Sequence, residues 1–227
     1  MENKQYSLCC IFVALPEAFV SNWSRYQTNG KSGNNSTSKN TNLSLKTIRS
    51  EPFLEELLLQ VMSRANTDLV AGILSRDPER LAQAIAIVMR QEEPISRRAM
   101  WAIDIACEKN PGLITPYIKL LIIKMPEFRH DAFRRHILRI AARLPFHDSY
   151  KGVLLNVCFD IIADSNKAIA VKANAMQILS RMAIEEPDIR HELKETIRYQ
   201  MEEATPGFRS QARKVLNKVK ELDTNTL

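Results

Sequence analysis

A chain of 227 residues with 45% apolar side chains is long enough to bury a core, and holds one domain or one domain plus a tail. Its net charge of +6 is unevenly placed: residues 1 to 50 carry a balance of +4 and residues 51 to 227 only +2, so the body is close to neutral. The pI of 9.2 mostly reports the tail and gives poor support for a nucleic-acid partner.

The first stretch, LCCIFVALPEAFV (8 to 20), is apolar but broken by Pro16 and Glu17, too short to span a bilayer, and preceded by a weakly basic MENKQYS that does not suit a signal peptide. Residues 21 to 45 are dominated by Ser, Asn, Thr, Lys and Gly and have too little apolar area to offset the entropy of ordering. Residues 1–46 therefore read as a disordered or low-complexity tail, or as an over-extended start, ahead of a folded domain over 47–227.

From Glu51 onward the pattern is helical almost without interruption. Helices are predicted over 52–63, 67–75, 78–91, 94–108, 111–124, 130–144, 149–163, 167–184, 187–203 and 206–221. Pro52, Pro78, Pro94, Pro111, Pro187 and Pro206 precede or open these stretches, where a missing N–H costs nothing. Asp77, Asn110 and Thr205, each before a proline, are the expected N-caps. Short connections imply antiparallel neighbours, and no stretch alternates as a strand.

One apolar pattern returns four times. It starts at Ile95, Phe133, Val171 and Phe208, 38, 38 and 37 residues apart. Offset four gives Ala99, Ile137, Ala175 and Ala212; offset seven gives Ala102, Ile140, Ile178 and Val215; offset eight gives Ile103, Ala141, Leu179 and Leu216. These positions share one stripe of a helix, and their return at a fixed period predicts an all-α solenoid of about four to five helix pairs. The stripe lies on the second helix of each pair.

NPGLITPYIKLL (110 to 121) resembles the proline-containing first helix of HEAT repeats, and VKANAMQIL (171 to 179) and FRSQARKVL (208 to 216) resemble their second helices. The chain is thereby similar to the HEAT-repeat, armadillo-type fold family over about 175 residues. Residues 52 to 75 fit neither helix type and suit a capping unit. The C-terminal half also resembles short bacterial helical-repeat proteins, some labelled adenylosuccinate lyase; that enzyme's GSSxMxxKxN loop is missing here, and no paired acid and base stands out.

After each apolar start come Ser96, Arg134, Lys172 and Arg209, with Arg97 and Arg135 one residue further on. Such a ladder can line a groove for an acidic partner or phosphates. The other reading, which the family resemblance implies, is that these cations bond loop carbonyls and acidic residues in adjacent turns. The helix 129–144 is the most basic segment, with Arg134, Arg135, Arg139 and Arg143. Trp101 occupies offset six, where the other units have Arg139, Gln177 and Lys214. With Arg97, Arg98 and Asp104 within one turn it suits a recognition surface, or else it packs under the irregular N-terminal unit. Trp101 and Asp104 also give a slight likeness to HEAT-like DNA-alkylation-repair glycosylases, the alternative nucleic-acid reading.

The four cysteines do not make a disulfide framework, Cys107 and Cys158 fall in apolar helical stretches, and the four histidines lack metal-ligand spacing. Phosphate-loop motifs are absent. Neither a metal nor a cofactor is expected. The function expected is a non-enzymatic, cytoplasmic protein-binding or scaffolding module whose partner is another protein, with no membrane span.

Overall fold

The computed structural model describes residues 51–202 and 204–224, with side chains from 53; the expected tail 1–46 lies outside the described residues. Ten α-helices occur among them: α1 (Glu51–Leu59), α2 (Arg64–Leu74), α3 (Pro78–Arg90), α4 (Ile95–Lys109), α5 (Thr115–Lys124), α6 (Asp131–Ala141), α7 (Asp148–Ala163), α8 (Ile169–Glu185), α9 (Ile189–Met201) and α10 (Pro206–Thr224). Two short 3₁₀ turns, Pro111–Ile114 and Met125–Glu127, flank α5. The chain divides into two compact units, one through Tyr117 and one from Ile118 onward.

Helix starts follow local chemistry. Asp77 Oδ1 accepts the Glu79 and Arg80 N–H groups at 2.9 and 3.2 Å, with Pro78 opening α3. Thr205 Oγ1 accepts the Phe208 N–H at 3.5 Å, a longer cap at the start of α10. Asn110 does not cap with its side chain; the chain passes instead through the 3₁₀ turn at Pro111. The expected helix 52–63 ends four residues early, and its neighbour, expected over 67–75, starts three residues early. Ser63 Oγ accepts the Asn66 N–H at 3.1 Å, so α2 begins at Arg64 and α1 ends at Leu59. A side chain that caps the next helix competes with continuation of the previous one. The α6 helix stops three residues short of its expected end, before Pro145, which disfavours helical backbone at the residue preceding it.

The repeated stripe forms the core. All of its positions are buried except Leu216, which is half-buried on α10, a helix that no later element among the described residues covers. Offset eleven, occupied by Ala106, Leu144, Met182 and Val219, is buried as well and extends the stripe by a further turn. In the C-terminal unit α8 packs between α6 and α10, while α7 pairs with α8, α9 pairs with α10, and α7 lies against α9. First helices thus stack on first helices and second on second. The N-terminal unit follows the same scheme, with α2 against α4, α1 against α3, and α3 paired with α4. Residues 51 to 74, whose sequence fits the repeat poorly, therefore form a helix pair stacked on the first regular one.

Ion pairs lace the helices at their ends. Arg90 meets Glu55 at 2.6 Å, Lys151 meets Glu186 at 2.6 Å, and Lys194 meets Asp223 at 2.8 Å. Hydrogen bonding from Lys194 holds the Asp223 carboxyl below its ordinary range. Cys107 and Cys158 are free and buried, and burial pushes the Cys158 thiol far up, so it packs as an inert small hydrophobe. No helix among the described residues is long and apolar enough to cross a membrane. Among the same residues no group of three or more potential metal ligands is found.

Candidate binding surface

The basic ladder sits where each second helix begins, close to the end of the first helix of its own pair. The last carbonyls of a helix have no intrahelical donor and need one from elsewhere. Arg134 Nη2 donates to the Pro126 carbonyl at 3.0 Å, in the turn that follows α5. Arg209 Nε and Nη2 donate to the Met201 and Glu202 carbonyls at 3.3 and 3.1 Å, at the end of α9. Ser96, the equivalent in the first regular pair, donates to the Ile87 carbonyl at 2.5 Å in α3. Three of the four positions thus close the preceding helix.

Lys172 does this indirectly. Its ammonium donates to Gln200 Oε1 at 3.1 Å, and Gln200 Nε2 donates to the Ala163 carbonyl at the end of α7, also at 3.1 Å. The ammonium lies 5.5 Å from the centre of the Phe208 ring. Lys172 is only 6% exposed, and burial pulls its ammonium below the ordinary lysine range against the opposing charge of Asp164.

Arg134 has a second partner. Its Nη1 meets Asp131 Oδ1 at 3.1 Å, while Asp131 Oδ2 accepts the Ala168 N–H of the next pair at 3.0 Å. One carboxylate therefore joins a cation of one repeat to the backbone of the following one. Arg135 is exposed, with Nη2 3.5 Å from His136 Nε2, and its carbonyl accepts Asn174 Nδ2 at 3.3 Å across the α6–α8 contact. Arg139 is half-buried.

The Trp101 constellation is dispersed by the fold. Trp101 is half-buried in a crevice lined by Leu58, Val61, Met62 and Val70, the region of α1 and α2, and the crevice leaves only about 10 Å³. That is about the space of one water and far below a ligand site. Asp104, expected on an open face with it, is fully buried. Three residues along a helix is a rotation of about 60° away from eclipse, enough to carry one side chain to the margin and the other into the core. Arg97 pairs with Glu93 at 3.1 Å, and Arg98 Nη1 donates to the Leu58 carbonyl at 2.8 Å. Trp101→Ala should therefore lower the melting temperature, costing about 2 kcal/mol of stability, less than the about 3 to 5 of a fully buried tryptophan. An unchanged thermal melt would return Trp101 to a surface role.

The family model described as a HEAT repeat domain matches residues 54–219. The chain belongs to the HEAT repeat family. No curated protein and no solved structure matches it.

In this HEAT repeat chain an open pocket of about 510 Å³ lies in the C-terminal unit where α8 and α10 begin and α9 ends. Ile169, Lys172, Tyr199, Gln200, Thr205 and Phe208 line it. Tyr199 is 77% exposed, the most open large hydrophobic side chain among the described residues. Lys167, which meets Asp164 at 3.2 Å, and the exposed Glu202 stand at the same pocket. Of the nine expected site residues only Lys172 reaches it. Arg209 is nearby in sequence but bonds the end of α9. Tyr199, Gln200 and Thr205 lie outside the repeated stripe, so its periodicity does not mark them. Arg181 was missed too: its guanidinium donates to the Ala142 and Leu144 carbonyls and stacks 4.6 Å from the Phe146 ring, closing the end of α6 from α8. Its signal was a basic residue at offset ten in three repeats, Arg143, Arg181 and Lys218.

Proposed function

We propose that the chain is a non-enzymatic protein-binding module, presenting its stacked helix pairs as a scaffold surface in the cytoplasm. The HEAT repeat match over residues 54–219 carries this reading, because stacked-pair repeats typically serve as extended interaction surfaces. The destination of the basic ladder supports it. Arg134 and Arg209 spend guanidinium donors on helix-end carbonyls, which leaves them poorly placed to read a phosphate backbone. Large apolar side chains meanwhile stand open: Leu59, Val61, Met62 and Leu69 in the N-terminal unit, Tyr199 and Ile169 in the C-terminal one. Tyrosine is among the residues that anchor protein interfaces. The free, buried thiols of Cys107 and Cys158 suit a reducing compartment.

The test is affinity capture by the full chain from a cell lysate, with and without nuclease. Retention of a discrete protein that survives nuclease and rising salt is the expected result. Retention of nucleic acid, or loss of all capture on nuclease treatment, would favour the nucleic-acid reading and defeat this one.

A further inference from the structure

The repeat allows each position to be compared with its counterpart one pair earlier. Arg134 and Lys172 both follow the first residue of the apolar stripe. Three residues before Arg134 stands Asp131, whose carboxylate takes the Arg134 guanidinium on one oxygen and the Ala168 N–H on the other. Three residues before Lys172 stands Ile169, which is 41% exposed. The counterpart of Ala168, three residues before the next stripe, is Thr205. Lys172 and Thr205 thus repeat the two donors of the Asp131 bridge, without its acid. Among the described residues no carboxylate lies within 4.0 Å of the Lys172 ammonium, Glu202 included, and the Thr205 N–H has no acceptor. The pocket of about 510 Å³ opens at this point, lined by both donors.

Resting on the protein-binding reading above, we propose that this pocket takes an acidic side chain of a partner polypeptide, its carboxylate occupying between Lys172 and Thr205 the place that Asp131 holds between Arg134 and Ala168. The chemistry of the lining fits. The Lys172 ammonium is met only by the neutral Gln200 amide and the Phe208 ring, with Asp164 acting at longer range, so an anion in contact offsets desolvation that these leave uncompensated, and a carboxylate here also accepts a backbone N–H at the start of α10, where helix dipole and charge act in the same sense. The residues flanking the acid in the partner meet Tyr199 and Ile169, an exposed aromatic and an exposed aliphatic side chain on the pocket wall. Lys167 is engaged by Asp164, so the charge that selects the ligand is that of Lys172, and Glu202 on the rim disfavours ligands with several adjacent negative charges.

The experiment titrates the isotope-labelled full chain with an acetylated, amidated hexapeptide bearing one central aspartate between leucines. Its asparagine counterpart and inorganic phosphate are the comparison arms, and the amide resonances of Thr205 and Gly207 are followed. The aspartate peptide should move both resonances saturably and bind at least about tenfold more tightly than the asparagine peptide. Two variants carry the test further. Lys172→Met removes the charge while keeping an unbranched side chain of similar length beside Phe208. Ile169→Asp supplies the acid from within, as Asp131 does. Both should abolish the shifts, and Ile169→Asp should melt at or above the temperature of the parent, which shows that it folds. Equal binding of the two peptides, peptide binding that survives Ile169→Asp, or a response to phosphate alone would each overturn the proposal. If the peptide gives no shift while the full chain still captures a nuclease-resistant protein, this site is wrong and the protein-binding reading stands; if capture fails as well, both fall.

Discussion

Leu179→Ala is expected to cost about 2 to 5 kcal/mol, the range for truncating a fully buried leucine. Leu179 is 0% exposed at offset eight of α8, the helix that packs between α6 and α10. The cavity therefore opens where neighbouring repeats share their core. For a compact unit of about 100 residues each kcal/mol corresponds to about 4 to 8 °C, so the melt should fall by about 8 °C or more. Leu216 holds the same offset in α10 but is only half-buried. Leu216→Ala should accordingly cost clearly less. Equal losses in the two variants would mean that position in the repeat, and not burial, sets the effect.

Asp131→Ala is expected to cost about 2 to 3 kcal/mol. Removing one partner of a buried ion pair typically costs about 3 to 5 kcal/mol, and the somewhat exposed Asp131 carboxylate reduces that figure. Arg134 is buried and would keep a desolvated charge with only the Pro126 carbonyl to answer it, while the Ala168 N–H loses its acceptor. Asp131→Asn keeps one acceptor oxygen and should recover part of the loss. Chemical denaturation measures both; an Asp131→Ala midpoint equal to that of the parent would remove the bridge from the account of stability and with it the template for the Lys172 pocket.

The fold was legible because its main signal is redundant. A stripe that fails at one position is restored by the next three repeats, and the prolines mark helix starts independently, which is why Pro78 and Pro206 open α3 and α10 as expected. Boundaries set by side-chain capping were less visible, as at Ser63, where a serine inside an apolar run ends one helix by starting another. The candidate surface was less legible still. Sequence spacing places Trp101 and Asp104 on one face, but whether that face meets solvent depends on α1 and α2, whose pattern is the least regular. The Arg and Lys ladder was correctly located on the second helices, and the sequence already allowed for carbonyl partners. Which carbonyls they are depends on how first helices end, and that geometry has no periodic signature. Ile169 in the place of Asp131 was readable in principle, since it needs only the alignment of two repeats; the meaning of the exchange required knowing that Asp131 reaches across to Ala168.

Unequal bridging between repeats also bears on how the C-terminal unit comes apart. The α6–α8 seam has the Asp131 carboxylate, the Asn174 amide and the Arg181 guanidinium reaching across it. Where α8 meets α10 the counterpart of the Asp131 bridge is gone, and the Lys172–Gln200 contact links α8 to the end of α9 instead. Within the last pair, Arg190 and Lys194 hold α9 to the end of α10 through Leu222 and Asp223. In a quasi-one-dimensional stack the free energy of opening is set seam by seam. Polar bridging is thus sparser at the α8–α10 seam than at the α6–α8 seam, and any ligand gripping both Lys172 and Thr205 acts as a clasp across it, raising the cost of sub-global opening there by its own binding free energy.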